Sequence, residues 1–308
     1  MPILLLLVII LASLAFFTLL AVSAVALWVA YDYVRTRRYP VDQWGHPSDF
    51  PIDYEDVSFP SRHDLLKISG WYLPSGDDSR CLILLQGDGH HRNSPGIRAL
   101  LLGRDLAQHG YSVLLFDFRG RGDSRGHRGS AGDRERWDLL GALDYVNSRG
   151  IPTEKIGLVG FSLGAAVALL VADQEKRIPA LVSDSCYLDT LPDLENVPFL
   201  FFTLPKWFRV PTILAGKWFL AADFSQVRPV KMVHKIAPRP VFFIHGQEDH
   251  VVPYRETIVL HQASKNPNNQ LWIVPGAGHV HTYATHPKEY LRLIVPFFNR
   301  HIPKDSPN

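Results

Sequence analysis

From Ile3 to Ala30 the chain runs for 28 positions without a charged residue. A bilayer's hydrocarbon core needs about 20 apolar residues in helical form, so this stretch is long enough to span with some tilt. A cleaved signal peptide is the rival reading. It would want a basic start and an apolar core of about 7–15 residues. Here the first basic residue is Arg35 and the apolar run is too long, although Ala24-Val25-Ala26 has the small-x-small form of a cleavage site. Residues 1–34 are therefore expected to form an uncleaved transmembrane anchor. Arg35, Arg37 and Arg38 follow it, and the positive-inside rule then places the C-terminal domain in the cytoplasm. Trp28, Tyr31, Tyr33 and Tyr39 stand where interfacial aromatics are expected.

The segment 35–53 contains Pro40, Trp44, Gly45, Pro47 and Pro51 and reads as a linker. Beyond it, short β-type runs alternate with longer amphipathic ones, with no internal repeat. Two early runs, Tyr54–Phe59 and Leu65–Leu73, alternate apolar and polar, as a half-exposed antiparallel pair should. The later runs begin at Cys81, Val113, Lys155, Ala180, Val241 and Gln270. Most are nearly continuous apolar stretches, which suits strands covered on both faces. Helical patterns fall at 97–108, 133–148, 163–173, 254–263 and 288–299. This order predicts an α/β fold: an eight-stranded, mostly parallel sheet with helices on both faces, occupying 54–302. Ligands in such sheets bind at the carboxyl ends of the strands.

The formal charge of +2 argues against nucleic-acid binding by bulk electrostatics. Cys81 and Cys186 sit in apolar runs and read as core thiols, not as a disulfide framework or a zinc site. No metal or cofactor is implied. Gly120, Gly122 and Gly126 follow a strand without forming a dinucleotide or P-loop signature.

The strongest motif is Gly160-Phe161-Ser162-Leu163-Gly164, between a strand and a helix. A serine alcohol is a poor nucleophile and needs exposure at a sharp turn. Glycines on either side let the backbones approach closely, giving a nucleophile elbow. The plain alternative is a glycine-softened turn with an inert serine. Two further loops each follow a strand. One reads Gly246-Gln247-Glu248-Asp249-His250-Val251-Val252-Pro253, the other Pro275-Gly276-Ala277-Gly278-His279. Ser162, Asp249 and His279 stand in the chain order this type of fold uses, as nucleophile, orienting acid and base. Asp249 is preferred to Glu248 because it lies four residues past His245 and just before Val251-Val252-Pro253. His281 and His286 compete with His279, but His279 directly follows the small-residue turn. The oxyanion donors are expected to be the backbone N–H groups of Leu163 and of Asp88, in the loop Gln86-Gly87-Asp88-Gly89.

The stretch from Tyr54 to His301 resembles α/β-hydrolase-fold proteins. It is especially similar to single-pass, signal-anchored serine hydrolases related to prolyl-oligopeptidase-like and dienelactone-hydrolase-like enzymes. The resemblance rests on Asp117-Phe118-Arg119-Gly120-Arg121-Gly122-Asp123-Ser124-Arg125-Gly126, on Gly160–Gly164, on the Asp249 loop, on Pro238-Arg239-Pro240 and on Gly278-His279. It implies hydrolysis through an acyl-serine. The family's usual His-Gly in the oxyanion loop is Gln86-Gly87 here, followed by Asp88. A carboxylate there would repel an oxyanion unless it points away or pairs with His90, His91 or Arg92.

About 56 residues separate the strands ending at Asp184 and beginning at Val241, more than one crossover requires. The insertion, at about 188–236, is rich in aromatics, including Phe199, Phe201, Phe202, Trp207, Phe208, Trp218 and Phe219. It is expected either to form an apolar cap lining an acyl pocket or to pack its aromatics on the sheet. The functional expectation is a hydrolase of carboxylic esters or thioesters, with a small-molecule or lipid-like acyl substrate. A serine peptidase or amidase using the same residues is the second reading, and an inactive membrane-bound scaffold the third.

Overall fold

The computed structural model describes residues 2–36, 38–189, 198–199 and 202–304. One helix, α1 (Pro2–Val34), precedes an α/β domain. The strands are β1 (Glu55–Pro60), β2 (Lys67–Leu73), β3 (Cys81–Leu85), β4 (Ser112–Phe116), β5 (Ile156–Phe161), β6 (Leu181–Asp184), the short pair β7 (Pro198–Phe199) and β8 (Phe202–Thr203), then β9 (Val241–Gly246) and β10 (Gln270–Val274). The helices are α2 (Ala99–Gln108), α3 (Glu135–Ser148), α4 (Leu163–Gln174), α5 (Arg209–Phe219), α6 (Pro229–Met232), α7 (Tyr254–Ser264), α8 (Thr282–Thr285) and α9 (Pro287–His301).

The main sheet has eight strands in the order β1-β2-β4-β3-β5-β6-β9-β10. β2 is antiparallel to both β1 and β4, and the remaining pairs are parallel. The apolar runs divide by alternation between the two faces. Cys81, Ile83, Leu85, Leu114, Phe116, Ile156 and Leu158 face α3, α4 and α7. Leu82, Leu84, Val113, Leu115, Val159 and Phe161 face α2 and α9. Period-two side chains with apolar partners on both sides leave no polar phase, which is why these strands read as unbroken runs.

The early hairpin departs from its half-exposed expectation. Its second strand is interior, and Gly70, Trp71, Tyr72 and Leu73 are buried. The cover is the segment read as a linker: Val41 packs with Trp71 and Leu100, and Asn93 Nδ2 donates to Gly45 O at 2.6 Å. Chain that is polar and proline-rich in sequence is here part of the domain wall.

α1 is a 33-residue helix, about 50 Å long at 1.5 Å per residue. It is long and apolar enough to cross a membrane. Pro2 to Ala21 are exposed throughout, and burial begins at Val22. Ala26, Val29, Ala30 and Val34 are buried against Leu204, Phe208, Ala215, Leu220, Ala222 and Phe224 of the insertion. The join continues past the helix: Gly129 N donates to Val34 O at 2.8 Å, and the Arg38 guanidinium donates to the carbonyls of Gly122, Ser124 and Gly126. Tyr33 faces the domain, its ring edge-on to Phe224 at 5.4 Å.

α3 approaches β1 so closely that a Cβ on Gly141 would lie 2.3 Å from Pro60 O. An alanine in a free helix gains about 1 kcal/mol over glycine. Here the backbone collision outweighs that gain, and Gly141→Ala is expected to destabilise the detergent-solubilised chain by about 1–3 kcal/mol, read as a lowered melting temperature.

Candidate active site

The loops after β3, β5, β6, β9 and β10 meet at the carboxyl edge of the sheet, and three missing Cβ atoms let them do so. A Cβ on Gly160 would sit 2.5 Å from Gly164 O, and one on Gly164 would sit 2.3 Å from Leu85 O. α4 can thus begin directly against the end of β3. A Cβ on Gly246 would sit 2.3 Å from Ala277 O. That brings the loops carrying Asp249 and His279 into contact, with Glu248 N donating to Ala277 O at 2.9 Å.

Ser162 occupies the turn between β5 and α4 with φ 51° and ψ −115°. A positive φ is costly for a residue with a Cβ, and such strain concentrates at functional sites. Ser162 N donates to Asp184 O at 2.8 Å, which fixes the turn. The Ser162 hydroxyl donates to His279 Nε2 at 3.0 Å, and His279 Nδ1 donates to Asp249 Oδ2 at 2.6 Å. The carboxylate can only accept, so it sets this tautomer. Ser162, His279 and Asp249 thus form one continuous hydrogen-bonded chain.

The rivals fall elsewhere. The Glu248 side chain is exposed. The His281 ring lies against Gly96, and His286 Nε2 donates to Pro275 O at 3.0 Å.

Asp249 is held by more than His279. Its Oδ1 accepts the N–H groups of Val251 and Val252, both at 2.8 Å. Its Oδ2 also meets Nε2 of a fully buried second histidine, His245, at 2.9 Å. Val252 O is a second acceptor at that nitrogen, so Nε2 carries the hydrogen and Nδ1 accepts from the Thr257 hydroxyl at 2.6 Å. Burial alone would push the Asp249 carboxyl upward. The hydrogen bonds from His245, His279 and Val252 N overcome it and hold the group well below the usual carboxylate range. His245 was visible in sequence only as a strand-end histidine; its i,i+4 spacing to Asp249 was the available signal. A second support lies under His279: Val280 N donates to Ser185 Oγ at 3.2 Å, and Ser185 Oγ donates to Asp184 at 3.0 Å. Burial pushes the Asp184 carboxyl up to about 6 despite hydroxyls from Thr282, Ser185 and Tyr290.

The loop after β3 lies against the serine: a Cβ on Gly87 would be 3.4 Å from Ser162 Cβ. Leu163 is the first residue of α4, where an N–H has no acceptor within the helix. Asp88 pairs with none of His90, His91 or Arg92. Its carboxylate forms an ion pair with the buried Arg121 of the turn after β4. The Gln86 side chain is buried and makes no hydrogen bond. The same turn after β4 is braced by Asp117, which accepts from Arg92 N, Arg92 Nη1 and Asp123 N at 2.7, 2.7 and 2.9 Å.

A cavity of about 250 Å³ opens over Ser162, lined by Tyr33, Asp88, Ala131, Leu163, Tyr187, Val251 and Val252. The wall expected from the insertion's aromatics is not formed by Trp207, Phe208, Trp218 or Phe219. Phe208 is buried on α1 and the other three are exposed. Phe201 and the side chains of Phe199 and Phe202 lie outside the described residues. The apolar helix itself contributes Tyr33 to the cavity wall. Among the described residues no cluster of His, Cys, Asp and Glu is arranged to hold a metal ion.

The model of the prolyl oligopeptidase family matches residues 104–305, well over half of the chain. The chain belongs to that family. As a member it is a hydrolase of the α/β-hydrolase fold. YfhR of Escherichia coli K12 is 25% identical to it, with 84% of each chain covered. Rv2307c of Mycobacterium tuberculosis is 27% identical, over 76% of this chain and 78% of its own. Among solved structures, the esterase Pf2001 of Pyrococcus furiosus superposes with a TM-score of 0.69 at 29% identity, covering 87% of this chain and 98% of that one. Est1E of Butyrivibrio proteoclasticus, solved with ferulic acid bound, has a TM-score of 0.64 at 20% identity and shares the fold, covering 80% of this chain and 100% of that one.

A carboxylate with a depressed folded pKa stabilises the fold above its unfolded pKa of about 4, and that stability is lost as pH falls through the folded value. Asp249→Asn in this family member is therefore expected to cost stability at pH 7. The difference from wild type should shrink steadily as pH is lowered from about 5 toward 2 in equilibrium denaturation.

Proposed function

We propose that the protein is a membrane-held serine hydrolase of carboxylic esters or thioesters, working through an acyl-serine intermediate. The observation that carries this is the hydrogen-bonded chain Ser162–His279–Asp249 at a strained strand-to-helix turn. Ser162 Oγ attacks the carbonyl carbon while its proton passes to His279 Nε2. The imidazolium so formed is stabilised by Asp249, whose depressed pKa keeps it anionic. The developing oxyanion takes hydrogen bonds from the backbone N–H groups of Leu163 and Asp88, with the positive end of the α4 dipole behind the first. His279 then protonates the leaving group. Water, deprotonated by His279, attacks the acyl-serine and regenerates the hydroxyl. The Asp88–Arg121 pair supports this arrangement, since the neutralised carboxylate does not oppose the oxyanion.

The likeness to esterase Pf2001 favours esters. The family's description favours a peptidase reading, and the same three residues serve both. An uncleaved anchor is supported by Val22, Val25 and Ala26, which pack on the insertion and which cleavage after Ala26 would remove. The basic residues after α1 favour a cytoplasmic domain by the positive-inside rule, so protease added to right-side-out vesicles is expected to leave it intact; digestion there reverses the orientation.

Ser162→Ala is expected to abolish labelling by a fluorophosphonate probe and to lower ester hydrolysis by about 10³-fold or more. Matched ester and amide substrates decide the bond: cleavage of the amide at a comparable rate assigns a peptidase instead.

A further inference from the structure

α5 has two apolar faces. One, with Thr212, Ala215 and Gly216, is buried against α1 and Phe224. The other carries Val210, Leu214 and Trp218 at i, i+4 and i+8, flanked by Trp207 and Phe219, and is exposed. Trp207, Trp218 and Phe219 are 59%, 70% and 68% exposed, despite belonging to the residue types that bury the most apolar area. An aromatic patch of this kind marks a surface meant for a partner.

Three observations identify the partner as a lipid surface. First, the patch is continuous with α1, beside the part of that helix that follows its fully exposed residues 2–21. Those 20 residues match the length of a bilayer core, about 20 residues. What packs on α1 just beyond them lies at the membrane's polar boundary. Second, the composition fits that depth. Two tryptophans stand beside Lys206, Arg209 and Lys217, the last of them ion-paired with Asp223 at 2.9 Å, and no acidic residue falls between Leu204 and Ala221. Tryptophan rings and snorkelling cations are the side chains that settle among headgroups, and the cations favour anionic lipid. Third, the Ser162 cavity shares this structure: Tyr33 of α1 forms part of its wall. At about 250 Å³ it is smaller than the roughly 300–1,000 Å³ of pockets that enclose a drug-sized ligand. It holds the ester and the atoms next to it while the rest of a substrate stays outside.

We propose that the exposed face of α5 lies in the membrane interface as a second, in-plane contact beside α1, and that the Ser162 cavity draws its substrate from the bilayer as a lipid ester. The surface stands on its own observations, while the substrate class rests on the ester reading above. Both tryptophans then act as floats that set the depth of the cavity mouth, and the lipid's apolar chain never has to cross water to reach Ser162.

The test uses the full chain reconstituted in phosphatidylcholine–phosphatidylglycerol vesicles. With lipids brominated in the acyl chain, tryptophan emission should be quenched, and a large part of that quenching should disappear in Trp207→Phe/Trp218→Phe. Equal quenching in the variant and in wild type overturns the surface, as does a cross-linked dimer formed through this face. With a monoacylglycerol and a diacyl phospholipid supplied in the vesicles, Trp218→Ser/Phe219→Ser should lower lipid-ester hydrolysis by about tenfold or more. Cleavage of soluble p-nitrophenyl acetate should remain unchanged. Equal loss on both substrates, or p-nitrophenyl acetate cleavage with vesicle esters left intact, overturns bilayer supply. Wild type that cleaves no ester and takes no fluorophosphonate overturns the ester reading instead, and quenching still decides the surface.

Discussion

The closeness of three backbone approaches governs this domain. Gly160, Gly164 and Gly246 each stand where a Cβ would penetrate a neighbouring carbonyl or backbone atom. The first two let α4 start against the end of β3, which turns Ser162 into a half-buried elbow of positive φ instead of another helical residue. The third brings the loop after β9 onto the loop after β10. Interiors are packed too densely for these contacts to open by even a fraction of an ångström without moving whole elements. The hydrogen-bonded line from Ser162 to Asp249 is thus a consequence of strand-end packing as much as of the three side chains themselves.

Around that line the domain spends buried polar groups freely. Asp249 accepts from two histidines and two backbone amides. Asp117 collects the turn after β4, and Asp88 is neutralised by Arg121. Asp249 and Asp117 are buried, and a buried carboxylate is costly by itself and tolerable once its lone pairs are filled, whereas Asp88 is exposed. The result is a rigid edge in which imidazole orientation and loop charge are set before substrate arrives, as electrostatic preorganisation requires.

The apolar helix and the α/β domain are one structural unit. The last turns of α1 are core residues of the insertion, Arg38 is bound to three carbonyls, and Tyr33 reaches the cavity over Ser162. An anchor joined by a loose linker would leave the active site free to face any direction. Here the direction of the helix fixes the direction of the cavity.

The sequence by itself determined the strand–helix order, the two-sided burial of β3, β4 and β5, and the positions of Ser162, Asp249 and His279. These are encoded locally: period-two apolar runs, small residues at forced turns, and chemistry placed just past strand ends. Only the tertiary structure decided what depends on contacts between distant segments. The partner of Asp88 lies 33 residues away in Arg121, and the second histidine on Asp249 is recognisable only once its ring is seen to be buried with Thr257. The segment around Val41 and Gly45 became a wall because β2 turned out to be interior, and Phe208 and Phe224 of the insertion found their cover on the last turns of α1. A residue's spacing along the chain fixes which way it can point, but what it meets there is set by packing across the whole fold.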